Sequence, residues 1–327
     1  MKLLLELSME CESLARSEAV AAAEALAGRP KVLSHEPGVL VIDTKADPVA
    51  LAKRLGLCHF VSEWLSSCDD NELGARVREI EVEGPIRVRS TKVGEIRADL
   101  PGTTRLVGRI LGKSRGVDLH HPKCDVRIVF SERVHIGRLI DAVDRSSFEK
   151  RKNRYMPFFY PASIHPKFAR ALVNLTRVKN GEKLLDPFCG TGAILAEAGI
   201  IGLEAVGTDL SERMIAGARK NLAYVRASGT LIVSDVGMIA KSVGRVEGIA
   251  TDPPYGKSTS TNGESIPALY RRAFVAFSEV LDRGSFLAMA VPRVSLLDDA
   301  EKFDLAETHR LWVHRSLTRH FCVLKKS

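Results

Sequence analysis

Four short apolar runs in the second half of the chain each close on an aspartate: residues 183–186, 205–209, 230–235 and 248–252 end in Asp186, Asp209, Asp235 and Asp252. Helical patterns stand over 163–176, 192–199 and 211–224, so strand and helix alternate. A helix between two strands carries the chain back to the edge it left, and the strands then pair in parallel. Residues 163–327 are therefore expected to form an α/β domain with a mostly parallel sheet. Open sheets of this kind bind ligands beyond the carboxyl ends of their strands. All four carboxylates stand there.

The chain has 327 residues, more than the ~250 to 300 over which a single core keeps growing, so two or more domains are expected. With 45% apolar and 27% charged residues it has the composition of packed globular proteins, which excludes a disordered or collagen-like chain. Near the N-terminus, residues 2–7 read as a strand and 13–26 as an Ala-rich helix that stops at Gly28 and Pro30. A strand at 38–43, a helix at 48–55 and a closing strand at 58–62 follow. With one strand left unassigned, this is read as the β-α-β-β-α-β, ferredoxin-like order over residues 1–60. Residues 61–143 carry strand-like runs ("REIEVEG", "IRVRS", "DVRIVFSERVHIG") around a helical segment at 103–113, and read as a second small α+β domain. Residues 144–162 show no periodicity and read as a linker.

The charge is unevenly placed. Net charge is +8, yet between Arg145 and Arg177 there are eight basic residues against one acidic residue, and from Thr308 onward five against none. The second run, Arg310, Arg315, Arg319, Lys325 and Lys326, reads as a basic tail. Clustered Lys and Arg favour a polyanion, because phosphate contacts supply the sequence-independent part of nucleic-acid affinity. Lys150, Arg151, Lys152 and Arg154 are the candidate phosphate contacts. The six cysteines form no CxxC pair and have no His at zinc spacing, so no metal is expected, and a reduced, cytoplasmic protein is the simplest account. The N-terminal apolar run is too short and too acidic for a signal peptide, and no run reaches the ~18 to 20 apolar residues of a membrane span.

The run ending in Asp186 leads directly into "PFCGTGAILAEAG". Glycines at Gly190 and Gly192 suit a tight strand-to-helix turn in which a Cβ would keep a ligand from the backbone. A dinucleotide fold would read GxGxxG here, with a diphosphate at the helix N-terminus. This loop instead begins with an acid, which suits a ligand bearing an ammonium group. Asp209 ends the next strand, where nucleotide-binding α/β proteins use a carboxylate to accept from ribose hydroxyls. At the end of the third, Asp235 can accept from an adenine amino group while the Val236 N–H reaches a ring nitrogen. The fourth runs into Asp252-Pro253-Pro254-Tyr255-Gly256. Two prolines fix φ and remove two backbone donors, leaving a rigid ledge of acceptors. Its complement is an exocyclic amine: the Asp252 carboxylate and the Pro253 carbonyl accept its two N–H bonds, and the Tyr255 ring offers a stacking face worth ~1 to 3 kcal/mol to a base.

The series from Asp186 to Asp235 resembles the S-adenosylmethionine site of class I methyltransferases, which implies cofactor contacts at Asp186, Cys189, Gly190, Thr191, Gly192, Asp209, Leu210, Asp235 and Val236. DPPY resembles the [DNS]PP[YF] signature of amino-group methyltransferases and implies a catalytic set of Asp252, Pro253, Pro254 and Tyr255. Residues 112–140, "GKSRGVDLHHPKCDVRIVFSERVHIGRLI", resemble the closing half of a THUMP domain, an RNA-binding module. The block from "PFFYPASIHPKF" through "DPFCGTGAILAEAG" to DPPYG is similar to the archaeal tRNA guanosine-10 N2-methyltransferases, over most of the chain. That family implies tRNA as partner, methylation of the guanine N2 amine once or twice, and Ser163 near the methionine end of the cofactor. The chain departs from many members in reading Tyr160 where they have His. Some eukaryotic relatives need a small activator subunit, which nothing in this sequence indicates. The rival readings are an N2-guanine methyltransferase for another tRNA or rRNA position, a DNA amino-methyltransferase, and a non-catalytic RNA-binding protein with a vestigial pocket.

Overall fold

The computed structural model describes residues 1–161, 163–256, 263–314 and 317–327. The chain divides into two units: Met1–Arg16, Ala27–Lys53 and Cys58–Val143 form one, and Ser17–Leu26, Arg54–Leu57 and Asp144–Ser327 the other.

Alternation of β-branched and aliphatic residues sets the strands of the first unit. β1 (Lys2–Leu7), α1 (Glu12–Ala27), β2 (Lys31–Glu36), β3 (Val39–Asp43), α2 (Pro48–Arg54) and β4 (Cys58–Cys68) come first. α3 (Leu73–Arg78), β5 (Ile86–Lys92), α4 (Leu100–Arg115), β6 (Cys124–Phe130) and β7 (Val134–Ala142) follow. The seven strands make one sheet in the order β2-β3-β1-β4-β7-β6-β5. Its first four pair antiparallel, which gives the ferredoxin-like β-α-β-β-α-β arrangement. Sequence reading passes over β2, because "KVLSHE" is an edge strand exposed at most positions and lacks an apolar alternation. β4 runs past residue 62 to Cys68, since it has a partner on each flank, β1 and β7. Residues 60 and 61, the expected domain junction, lie inside it. β5 joins β6 in parallel across α4, whose Val107 and Leu111 pack with Val126 and Ile128 in one cluster.

The second unit carries α5 (Arg145–Lys150), α6 (Pro166–Leu175), β8 (Lys183–Asp186), α7 (Ala193–Ile200), β9 (Glu204–Asp209), α8 (Glu212–Tyr224) and β10 (Thr230–Val233). α9 (Ile239–Ser242), β11 (Val246–Thr251), α10 (Ile266–Val280), β12 (Leu281–Val291), β13 (Phe303–His314) and β14 (Leu317–Lys326) complete it. The sheet order is β10-β9-β8-β11-β12-β14-β13. Its first five strands pair in parallel and only β14 runs the other way, antiparallel to β12 and β13, as expected of a mostly parallel α/β domain. From β8 the chain moves to β9 on one side and later returns to place β11 on the other. The order therefore reverses at β8, and a crevice opens above the ends of β8 and β11. Beneath it, Ile249, Leu287 and Met289 pack against Phe274 and Phe277 of α10.

Two expectations change. Within the expected linker, Arg145–Lys150 form α5: Asp144 caps it by accepting from the Ser147 N–H at 3.2 Å, and Phe148 is buried at 4% exposure. The basic C-terminal run is not a tail. It forms the end of β13 and all of β14, with Phe321, Cys322, Val323 and Leu324 buried; Arg315 lies outside the described residues. Among the described residues no helix is long and apolar enough to cross a membrane.

Candidate active site

β8 delivers Asp186, 2% exposed, to the crevice. Its Oδ1 accepts from the Thr251 hydroxyl at 2.7 Å and from the Phe188 N–H at 3.2 Å. Burial nevertheless pushes its pKa up to about 7, and the Asp252 and Asp209 charges add to that. The loop then turns through two residues at positive φ, Gly190 at +48° and Gly192 at +82°. Gly192 caps α7, with Ala218 only 3.2 Å from where its Cβ would stand. At Gly190 a Cβ would meet nothing of the protein closer than 4.0 Å and would instead occupy the crevice.

β9 brings Asp209, whose Oδ2 accepts from the Gly190 N–H at 3.0 Å and Oδ1 from the Ser211 N–H at 2.9 Å. Each oxygen keeps a further lone pair. The carboxylate thus braces the glycine loop while staying able to accept from a ligand. Beyond β10, Asp235 accepts through Oδ1 from the Gly237 N–H at 2.8 Å and from Arg272 Nη1 of α10. Arg272 also forks onto Glu264, with Nη2 to Oε2 at 2.7 Å. Ser163 stands 3.1 Å from the Thr191 hydroxyl. Cys189 is 4% exposed, and burial pushes its thiol well up, which removes it as a nucleophile.

The ledge after β11 is closed by side chains. Tyr255 donates its hydroxyl to Asp252 Oδ1, and Arg319 of β14 approaches Asp252 Oδ2 with Nη2 at 3.4 Å. Burial raises the Asp252 pKa above the usual carboxylate range, against the pull of Arg319 and Tyr255.

Ser163, Asp186, Cys189, Gly190, Thr191, Asp209, Leu210, Asp235, Val236, Asp252, Pro253, Pro254 and Tyr255 all line one cavity of about 850 Å³. Of the expected cofactor residues only Gly192 stands off it, as the helix cap. The volume lies within the ~300 to 1,000 Å³ of small-molecule sites. A buried carboxylate, an open position above Gly190 and two further carboxylates suit a ligand that pairs an ammonium group with a nucleoside. S-adenosylmethionine fits that description. The four linker cations are elsewhere. Arg151 is paired with Glu197, with Nε to Oε1 at 2.8 Å and Nη2 to Oε2 at 3.1 Å. Lys152 pairs with Glu149, Arg154 lies 4.7 Å over the Tyr155 ring, and Lys150 is exposed.

Comparison with known proteins decides the family. The tRNA (guanine(10)-N2)-dimethyltransferase of Methanothermobacter thermautotrophicus is 34% identical over 306 residues, covering 90% of each chain. That of Pyrococcus abyssi is 33% identical over 325 residues, covering 95% of this chain and 96% of its own. The chain belongs to the tRNA (guanine(10)-N2)-dimethyltransferase family. Residues 153–320 match the RMKL-like, methyltransferase domain model. Among solved structures, TrmN from Thermus thermophilus aligns over 100% of both chains with a TM-score of 0.56 at 23% identity, a likeness of fold.

Within this family member, sequence reading misses three side chains of the site. Arg319 looks like part of a tail until β14 is recognised. Arg272 lies on α10, which has no motif. Asn221 had a signal: a lone amide on the apolar face of α8, beside Ala218 and Leu222. It is 2% exposed; its Oδ1 accepts from the Phe158 N–H at 2.9 Å and its Nδ2 donates to the Phe158 and Thr191 carbonyls, both at 3.0 Å. It thereby ties the "PFF" segment to the glycine loop.

Proposed function

We propose that the chain transfers methyl from S-adenosylmethionine to the exocyclic N2 amine of guanosine at position 10 of tRNA, in the cytoplasm, and does so twice. The observation that carries the reading is a single cavity in which Asp186, Asp209 and Asp235 share walls with the Asp252–Tyr255 ledge. A carboxylate series for a methyl donor and an acceptor ledge for an amine have no common use other than amine methylation. The family supplies the base and its position.

Asp186 holds an ammonium group, Asp209 accepts from ribose hydroxyls, and Asp235, oriented by Arg272, accepts from an adenine amine. Bound S-adenosylmethionine supplies an electrophilic methyl on sulfur. Asp252 and the Pro253 carbonyl hold the guanine amine by its hydrogens, while the Tyr255 ring stacks on the base. Orientation is the main contribution, because the attacking nitrogen is planar and weakly nucleophilic. Its positive charge develops next to the Asp252 carboxylate, and the proton it sheds passes to solvent. After one transfer the amine retains a single N–H, so the second is held by one acceptor instead of two and is the slower. The guanine reaches the cavity by leaving its stack, and residues 61–143 act as a THUMP-like RNA-binding part that sets the target by distance along the tRNA.

Mass spectrometry of nuclease fragments from a tRNA transcript, after incubation with enzyme and labelled methyl donor, tests this. The expected result is label on guanosine 10, with a monomethyl species rising first and converting to dimethyl. Label on another base, or none, rejects the reading.

A further inference from the structure

The Asp252 carboxylate is gripped at both oxygens by groups that nothing in the motif itself requires. Oδ1 accepts from the Tyr255 hydroxyl, and Oδ2 faces Arg319 Nη2 at 3.4 Å. The same guanidinium sets its Nε 3.3 Å from the Tyr255 oxygen and its carbon 5.9 Å from the Tyr255 ring. Arg319 and Asp252 side chains are each 13% exposed, and Arg319 lines the same cavity. β14 delivers it near its start, where Arg319 is registered with Leu311 of β13 and the next residue, His320, with Val291 of β12. A cation held that far from solvent by a sheet is part of the site.

We propose that Arg319 is a positioning residue for methyl transfer: by bridging the Asp252 carboxylate and the Tyr255 hydroxyl, it fixes both the acceptor and the stacking ring that the target base meets. The proposal rests on the amine-methylating reading above and adds to it the group that keeps the ledge in register.

The charges around Asp252 say what the guanidinium does besides fixing rotamers. Asp186 faces it from the end of β8, Tyr255 from its own turn, and Tyr270 from α10, with Arg293 and Cys322 beyond that phenol. Arg319 is the cation in direct contact among the described residues. Burial favours the neutral carboxyl, and Arg319, then the Tyr255 hydroxyl, oppose it. A neutral carboxyl turns one acceptor into an O–H donor, which cannot receive the amine hydrogen. Losing the guanidinium therefore costs activity first at the acid end of the pH range, before any loss of cofactor binding.

The test uses the full chain with Arg319→Gln and Arg319→Lys. Three quantities are read: affinity for S-adenosylhomocysteine, the pH profile of kcat/KM on tRNA, and the titration midpoint of the Asp252 carboxyl. The last comes from 13C NMR of protein labelled at aspartate Cγ, with the resonance assigned by its loss in Asp252→Asn. Arg319→Gln is expected to bind S-adenosylhomocysteine within about twofold of wild type and to lose on the order of tenfold or more in kcat. Its acid limb and carboxyl midpoint rise together by about one pH unit. Arg319→Lys keeps the charge and restores the midpoint, but recovers only part of kcat, because one ammonium cannot fork onto two partners. An unmoved midpoint in a variant that still binds S-adenosylhomocysteine overturns the proposal, as does full kcat in either variant. The midpoint is independent of which base is methylated, so a wild-type enzyme that leaves guanine N2 untouched sinks the functional reading and leaves this measurement standing.

Discussion

Asp186 shows how one side chain couples ligand binding to pH. Its pKa stands at about 7 in the folded chain, against an ordinary 3.8, with burial as the main cause. The folded state therefore holds the proton more tightly than the unfolded one. The resulting stabilisation is complete below about 3.8 and is lost as pH rises through about 7. A ligand with an ammonium group needs the opposite form, the carboxylate. Affinity for S-adenosylhomocysteine is thus expected to rise about tenfold per pH unit up to about 7 and then to level off. Asp186→Asn is expected to weaken that affinity by two orders of magnitude or so while raising Tm at pH 8 by about 2 to 4 °C, since it removes a buried charge. Calorimetric titration across pH 5.5 to 8.5 and a thermal melt check both. An affinity flat across that range would mean that Asp186 does not meet the ligand's cation.

Among elements, legibility followed chemistry more closely than shape. Strands that end in a functional carboxylate could be read because each pairs an apolar run with a residue that has no reason to stand there otherwise. β2 and β14 could not. The first is a polar edge, and the second buries Phe321 to Leu324 on both its faces, a short run between Arg319 and His320 on one side and Lys325 and Lys326 on the other. Arg319 was lost with β14, because a cation's partner 67 residues away leaves no local mark. α8 lies between these cases. Its apolar face is plain, yet the one residue that breaks it, Asn221, holds Phe158 and the Thr191 carbonyl through three hydrogen bonds. Asn221→Leu keeps the branched shape and strands those backbone groups at about 1 to 3 kcal/mol each. Cofactor affinity is expected to fall about tenfold or more with kcat at saturating donor within about threefold, because the glycine loop shifts while the ledge does not. Steady-state kinetics separate the two. A fall in kcat with unchanged KM for the donor would put Asn221 in the chemistry instead.

At the scale of the whole molecule, the two units do not divide at one point in the chain. Ser17–Leu26 and Arg54–Leu57 belong with Asp144–Ser327. Glu18, fully buried, accepts from the Gly56 and Leu57 N–H groups and from Asn174 Nδ2, each at 2.8 Å. Arg54 donates through Nε to Asn174 Oδ1 at 3.0 Å, and its carbonyl accepts from Asn174 Nδ2 at 2.9 Å. Removing residues 1–143 would strip Asn174 of these partners and uncover that part of the second unit, so loss of activity in such a fragment would say nothing about RNA. Substitution at the surface of the first unit is the cleaner probe. Arg105, Arg109 and Lys113 recur every fourth residue on α4 and are exposed, which puts them on one face opposite Val107 and Leu111. A stripe of three cations at helical spacing suits a run of phosphates. Changing all three to alanine leaves the core of that unit intact and is expected to weaken tRNA binding by about ten- to a hundredfold near physiological salt. The slope of log affinity against log salt should become shallower by about 2 to 3. S-adenosylhomocysteine affinity is expected to stay within about twofold. Filter binding over a salt series reads the slope directly, and an unchanged slope would move the RNA contact of the first unit off α4.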